Sequence, residues 1–219
     1  MDASFFADVF SKLTALSKRW SAEQTKSESL FAALLEFHGR LLTLTADSPL
    51  PPSLDHLEDA APLLRARHVH GLENILAALR KSTEKFTALR AEISEVHTSV
   101  WQRHAAVISA DGTTPEAAAA ALAEPTSGVV GAGCGRDAQT VGLPPPMLCI
   151  DWVRELDGMY ASELLLKLEL LDGIDLGLGS EVLQGVSRLW TLQPHLGTAA
   201  IERVASLAGS LNLPQEGIS

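Results

Sequence analysis

The chain has 219 residues, with 27 Asp and Glu against 17 Lys and Arg, a net charge of −10 at pH 7 and a pI near 5.1; this is length for one large or two small domains with a buried core. Leu (36) and Ala (30) far outnumber Val (12) and Ile (7), and only 11 residues are aromatic, an apolar choice typical of helices and one that excludes a largely β fold. No apolar run approaches the ~20 residues needed to cross a bilayer, Met1, Asp2 and Ala3 do not lead into a secretory signal, and two cysteines, Cys134 and Cys149, make neither a disulfide framework nor a zinc site and point to a reducing compartment.

Taken in chain order, Phe5, Val9, Leu13, Leu16 and Trp20 fall on one helical stripe. The polar run Ser21 to Ser29 follows, and Leu30, Leu34, Phe37 and Leu41 resume the stripe until the Pro-rich stretch at Pro49, Pro51 and Pro52 stops it. The pattern predicts two helices, or one long helix with a weak middle. Next, Leu72, Leu79, Phe86, Ile93, Val100 and Val107 recur every seven residues, with Ile75, Leu89 and Val96 three positions on and Ser82 and Arg103 as exceptions. This heptad pattern predicts a helix from near Pro62 to near Ala110, roughly 70 Å long, whose seam needs covering by other helices of the chain, by a partner, or by both.

Residues 111–146 hold six Gly, five Pro and one basic residue and read as a flexible linker, with a short Ala-rich helix starting at Thr114, Pro115 and Glu116. A third amphipathic stretch then runs through Cys149, Trp152, Leu156, Met159, Leu166 and Leu170, with Glu163 intruding, to Asp172 and Gly173. Two shorter segments carry Leu183, Val186 and Trp190, then Ile201, Val204 and Leu207, before Pro214. The expectation is an all-α, elongated bundle of about six helices: a helical region over 1–110, the linker, and a carboxy-terminal helical region over 147–213 packing on the first.

Charge is uneven along the chain. Residues 1–110 hold 12 basic and 13 acidic side chains, residues 111–219 hold 5 and 14, so the second half is a poor match for phosphates while the first half leaves the question open. Gly131, Gly133 and Gly135 lack the strand, helix, Lys and Ser or Thr of a phosphate loop. His68 and His70 point apart on a helix; His97 and His104 share a face and read as seam-edge residues, since a metal would need a further ligand from another helix. With no Gly-x-Ser-x-Gly motif and no His near either Cys in sequence, the expectation is a non-enzyme with no catalytic, cofactor or metal residue. Trp20, Trp152 and Trp190 lie on apolar stripes and read as packing, whereas Trp101 flanks the seam and reads as an interface anchor. Asp151, Glu155 and Asp157 read as a solvated helix face.

The long helix with Leu72, Glu73, Ile75, Leu76 and Leu79, its end at Trp101, Gln102, Arg103, His104 and Ala105, and then Asp151, Trp152, Val153, Leu156 and Tyr160 running into Leu164, Leu168, Leu170 and Leu171 resemble the AAA-ATPase-interacting ribosome maturation factor family, AIRIM. Arg188, Leu189 and Trp190 followed by Ile201 to Leu211 also resemble its carboxy-terminal pattern, so the resemblance spans roughly residues 63–212. It implies a non-enzymatic adaptor of AAA ATPase subunits, reaching pre-ribosomal particles indirectly, in cytoplasmic maturation of the large ribosomal subunit with some nuclear presence, and without direct DNA binding or a membrane. Trp101, His104 and Tyr160 are its partner-contact candidates. One departure is that the family is Lys- and Arg-rich after its Tyr, whereas here Tyr160 is followed by Ala161, Ser162, Glu163 and a Leu-rich run with only Lys167. The heptads alone support a different reading, a structural coiled-coil subunit of a cytoskeletal or kinetochore-type assembly. A membrane-surface helix is disfavoured by the acidity.

Overall fold

A computed structural model describes residues 3–44, 60–110, 144–175 and 177–211, which form five helices with no strand among them. They are α1 (Ala3–Thr43), α2 (Ala60–Ala110), α3 (Pro146–Asp172), α4 (Ser180–Leu192) and α5 (Thr198–Leu211). The Ala-rich helix expected after Thr114, the glycine run and Cys134 lie outside the described residues. Pro146 opens α3, where its missing N–H costs nothing, and the N–H groups of Leu148 and Cys149 donate to the Pro145 carbonyl.

The first segment is one helix of 41 residues, not two. The polar run does not weaken it, because Glu23, Gln24 and Ser27 turn inward, at 6%, 3% and 0% exposure, and each finds partners there. The heptad helix spans 51 residues. Its seam residues Leu72, Leu79, Phe86, Ile93 and Val100 are wholly buried by the chain itself, whereas Val107 is 39% exposed. Leu76 is buried where Ile75 was expected, and Ser82 is a buried seam member with a hydrogen-bonded hydroxyl.

In α3 the buried stripe is Cys149, Val153, Leu156, Tyr160, Glu163, Leu164, Lys167 and Leu171. The expected stripe through Trp152, Met159, Leu166 and Leu170 is displaced by about one position, and those four side chains are only half-buried. Glu163 is thus no intruder at the edge of a seam; it is part of the interior.

Two compact units divide the fold, and each combines segments from both sides of residues 111–143. The expected division at the linker follows chain order, whereas packing does not. In the first unit, the start of α1, the end of α2, the start of α3, and α5 enclose Phe6, Phe10, Val100, Val153 and Val204. Arg103 lies over the Phe5 ring, 4.3 Å from its centroid, and Arg203 over Trp152 at 5.3 Å. In the second unit, the remainders of α1, α2 and α3 pack with α4 around an aromatic centre: Trp20 is 4.5 Å from Phe86 and 4.9 Å from Tyr160, and Phe31 is 4.8 Å from Trp190, measured between ring centroids. Such contacts add about 0.5–1.5 kcal/mol each beyond the area they bury.

Candidate partner-binding surface

At the end of α2, Val100 points into the first unit with no exposure, while its neighbour Trp101 is 54% exposed. Positions 101, 104 and 108 share a stripe by helical spacing, and His104 and Ile108 are half-buried along it. The Trp101 and His104 rings lie 6.1 Å apart, inclined at 56°. With Val107 also exposed beside them, the helix ends in an apolar, aromatic edge backed by a buried row. Two of the three expected contact residues therefore share one surface.

Tyr160 does not belong to it. The side chain is 2% exposed and sits in the second unit against Trp20. Burial pushes the phenol pKa up, and a hydrogen bond with Ser17 opposes the shift. With no surface to offer, Tyr160 has a packing role, and its place in the expected contact set is corrected accordingly. Among the tryptophans, Trp20 and Trp190 are core residues at 1% and 0% exposure, as the stripes required, and Trp152 is half-buried.

The polar groups that sequence reasoning undervalued are interior. Lys167 is fully buried, with its Nζ 2.8 Å from Gln24 Oε1, 3.3 Å from the Trp190 carbonyl and 3.3 Å from Glu163 Oε1. The same ammonium lies 4.3 Å from the Trp190 ring centroid and 5.2 Å from that of Phe86. Burial lowers its pKa, and the Glu163 charge opposes that fall. Gln24 Nε2 also donates to the Trp190 carbonyl at 2.8 Å, the Trp190 indole donates to Ser27 Oγ at 2.8 Å, and the His195 N–H donates to Glu163 Oε2 at 3.3 Å. The carbonyls closing α4 are left without helical partners, and a cation plus an amide donor satisfy one of them. This network fixes α4; every group in it faces protein, so it is an internal clamp. The signal for it in the sequence was Glu163 and Lys167 at i, i+4 on the stripe of Tyr160 and Leu171.

Elsewhere, His97 Nδ1 is 3.0 Å from Asp157 Oδ2 in the first unit. Asp157 is thus a buried partner of His97 and not a solvated face residue. Among the described residues no three His, Cys, Asp or Glu side chains gather as a metal site would require, and no helix is long and apolar enough to cross a membrane. Cys149 is a free, buried thiol whose pKa burial raises.

Comparison with known proteins gives one family. Residues 4–127 match the CA109-like family, described as ribosome biogenesis protein C1orf109-like. No curated protein matches the chain. The matched region covers more than half of the chain, including α1 from Ser4 onward and all of α2, and the chain belongs to this ribosome biogenesis family.

Proposed function

We propose that this member of the C1orf109-like ribosome biogenesis family is a non-enzymatic adaptor subunit of an AAA-ATPase complex, acting in cytoplasmic maturation of the large ribosomal subunit, where a shuttling assembly factor is released and recycled. The observation that carries the reading is the exposed Trp101 edge at the end of α2, within the matched region. A large aromatic held outward on a rigid helix, with half-buried and apolar neighbours, is the kind of anchor on which protein interfaces concentrate their energy. The resemblance to AIRIM in the same residues supports an ATPase as the partner, with nucleotide hydrolysis in that partner and no cofactor in this chain. The site of action would be the cytoplasm, with nuclear passage.

Affinity capture with the whole chain tests this. Wild type is expected to recover AAA ATPase subunits and pre-ribosomal particles, and Trp101→Ala to recover several-fold less at unchanged helical circular dichroism. Capture of neither would refute the reading. The coiled-coil alternative requires a free seam for a second copy; the seam is already filled by the chain's own helices as far as Val100, which favours the adaptor. Seam-dependent self-association in sedimentation would reverse that preference.

A further inference from the structure

Of the ten large apolar side chains exposed among the described residues, three belong to α4, the shortest helix. Val182, Leu189 and Leu192 are 52%, 43% and 71% exposed, while Leu183 and Trp190 enter the core from a different face of the same helix. Val182, Gly185, Leu189 and Leu192 step by three, four and three, so they form a second apolar stripe on a helix that already buries one.

Gly185 stands in the middle of that stripe. A glycine inside a helix costs stability relative to alanine, and nothing in the fold of this unit requires it. Its backbone is that of an ordinary α4 residue, and an added Cβ would meet nothing within 4 Å. What the missing side chain does allow is the close approach of another backbone from outside.

The flanking charges say which backbone. Glu181 and Arg188 are exposed, and neither has an ion-pair partner among the described residues. They are seven residues apart and so lie on one flank of the stripe. An acid and a base in that arrangement are complementary to a copy of themselves. In an antiparallel pair of α4 helices with a two-fold axis near Gly185, Glu181 of each copy falls beside Arg188 of the other, Val182 opposes Leu189, and the two glycines meet at the crossing. A recess of about 370 Å³ lined by Ser187, Arg188, Thr191 and Leu192 leaves room for the incoming Glu181.

We infer that the outer face of α4 docks on the same face of a second copy of this chain. A second copy supplies the apolar stripe, the glycine notch and the inverse charge order by symmetry alone. A helix of 13 residues is about 20 Å long, so the contact is small and the dimer weak, with a Kd on the order of 100 µM. At ~0.15 M salt the repulsion between two chains of net −10 is confined to ~8 Å. The contact belongs to the second unit and the Trp101 edge to the first, and the α2 seam stays covered, so the adaptor reading neither depends on the dimer nor loses by it.

Sedimentation equilibrium of the full chain from ~5 to ~500 µM tests it, with a monomer–dimer equilibrium expected for wild type. Gly185→Leu should raise Tm by ~1–4 °C through helix propensity and still weaken the dimer at least ~10-fold, a loss that unfolding cannot explain. Glu181→Arg and Arg188→Glu should each weaken it ~10-fold, since like charges then face each other twice across the axis. The double reversal should return to within ~3-fold of wild type. Both reversals oppose the helix dipole, so this recovery cannot come from a firmer fold. A chain still monomeric at ~500 µM overturns the inference. Self-association indifferent to these variants also overturns it and places the contact on another surface, and a double reversal no tighter than the single changes assigns the α4 face to a different protein.

Discussion

Replacing Lys167 by Met tests whether the internal clamp or the apolar packing around it fixes α4. The substitution keeps volume and chain flexibility while removing the charge. Glu163, itself fully buried, would then keep only the His195 N–H at 3.3 Å as a hydrogen-bond donor, and Gln24 Oε1 would lose its 2.8 Å donor. Breaking a buried ion pair from one side costs about 3–5 kcal/mol, because the remaining charge stays desolvated and unpaired. For a chain of this length each kcal/mol lowers Tm by roughly 2–4 °C, so a drop of about 6–20 °C is expected by thermal circular dichroism. The Trp190 carbonyl is less affected, since Gln24 Nε2 still donates to it at 2.8 Å. Removing both charges separates the electrostatic cost from the packing. In Lys167→Met with Glu163→Leu no buried charge is left, and such replacements are often neutral or stabilising; the double variant should recover to within ~1–2 kcal/mol of wild type in urea unfolding at pH 7. A single variant within ~0.5 kcal/mol of wild type, or a double variant no better than the single, would refute the reasoning.

Tyr160→Phe loses the hydrogen bond with Ser17 and should cost only about 0.5–1.5 kcal/mol, whereas Tyr160→Ala opens a cavity against Trp20 and should cost about 3–5 kcal/mol in the same unfolding assay. Trp101→Ala, at 54% exposure, should leave the urea midpoint almost unmoved, within about 0.5 kcal/mol, so that any loss of partner capture reports on the surface. For Glu23, burial alone would raise the pKa, but hydrogen bonds from Lys85 and Ser82 and the charges of Lys85 and Lys26 outweigh it and the net value is lowered from 4.5. A carboxylate with a depressed folded pKa contributes stability that is full above ~4.5 and is lost as pH falls through the folded value. The stability gap between wild type and Glu23→Gln should therefore narrow on acidification below ~4.5; a constant gap in pH-dependent urea titrations would show that the pairing has no net effect.

The heptad of α2 was legible because Leu72, Leu79, Phe86, Ile93 and Val100, each seven apart, are all apolar, and a period of seven held over five repeats has few other readings. The same logic failed on α3 for a physical reason. Its Leu-rich run places apolar residues on every face, with Leu165 58% and Leu168 43% exposed, so apolarity no longer marks the inward direction. What does mark it is a pair of opposite charges one turn apart that neutralise each other inside, and a hydropathy pattern scores those positions as surface. The continuous α1 was half-legible for a related reason: Gln24 and Ser27 look like a break until Trp190, over 160 residues away, supplies their partners. The two units were invisible for yet another, since each is assembled from segments distant in sequence and no local composition shift accompanies the boundaries near 15, 91 and 157. At the candidate surface, Trp101 and His104 were legible from their place beside the seam, and Tyr160 was not, because its register depended on the α3 stripe.

Net charge was the least transferable of the global quantities. The whole-chain value of −10 hides opposed regions within one unit: the α1 and α2 segments carry five excess positive charges, whereas residues 158–197 hold five acids and two bases. Burial of Lys167 against Glu163 removes one charge of each sign from the surface. What solvent meets on that side is Glu169, Asp172, Asp175 and Glu181 against Arg188. The α3 and α4 side of the unit therefore carries a negative field, whereas its α1 and α2 segments carry a net positive one. The buried clamp and the surface field are linked, because placing the one lysine after Tyr160 in the core is what leaves the exterior of α3 acidic.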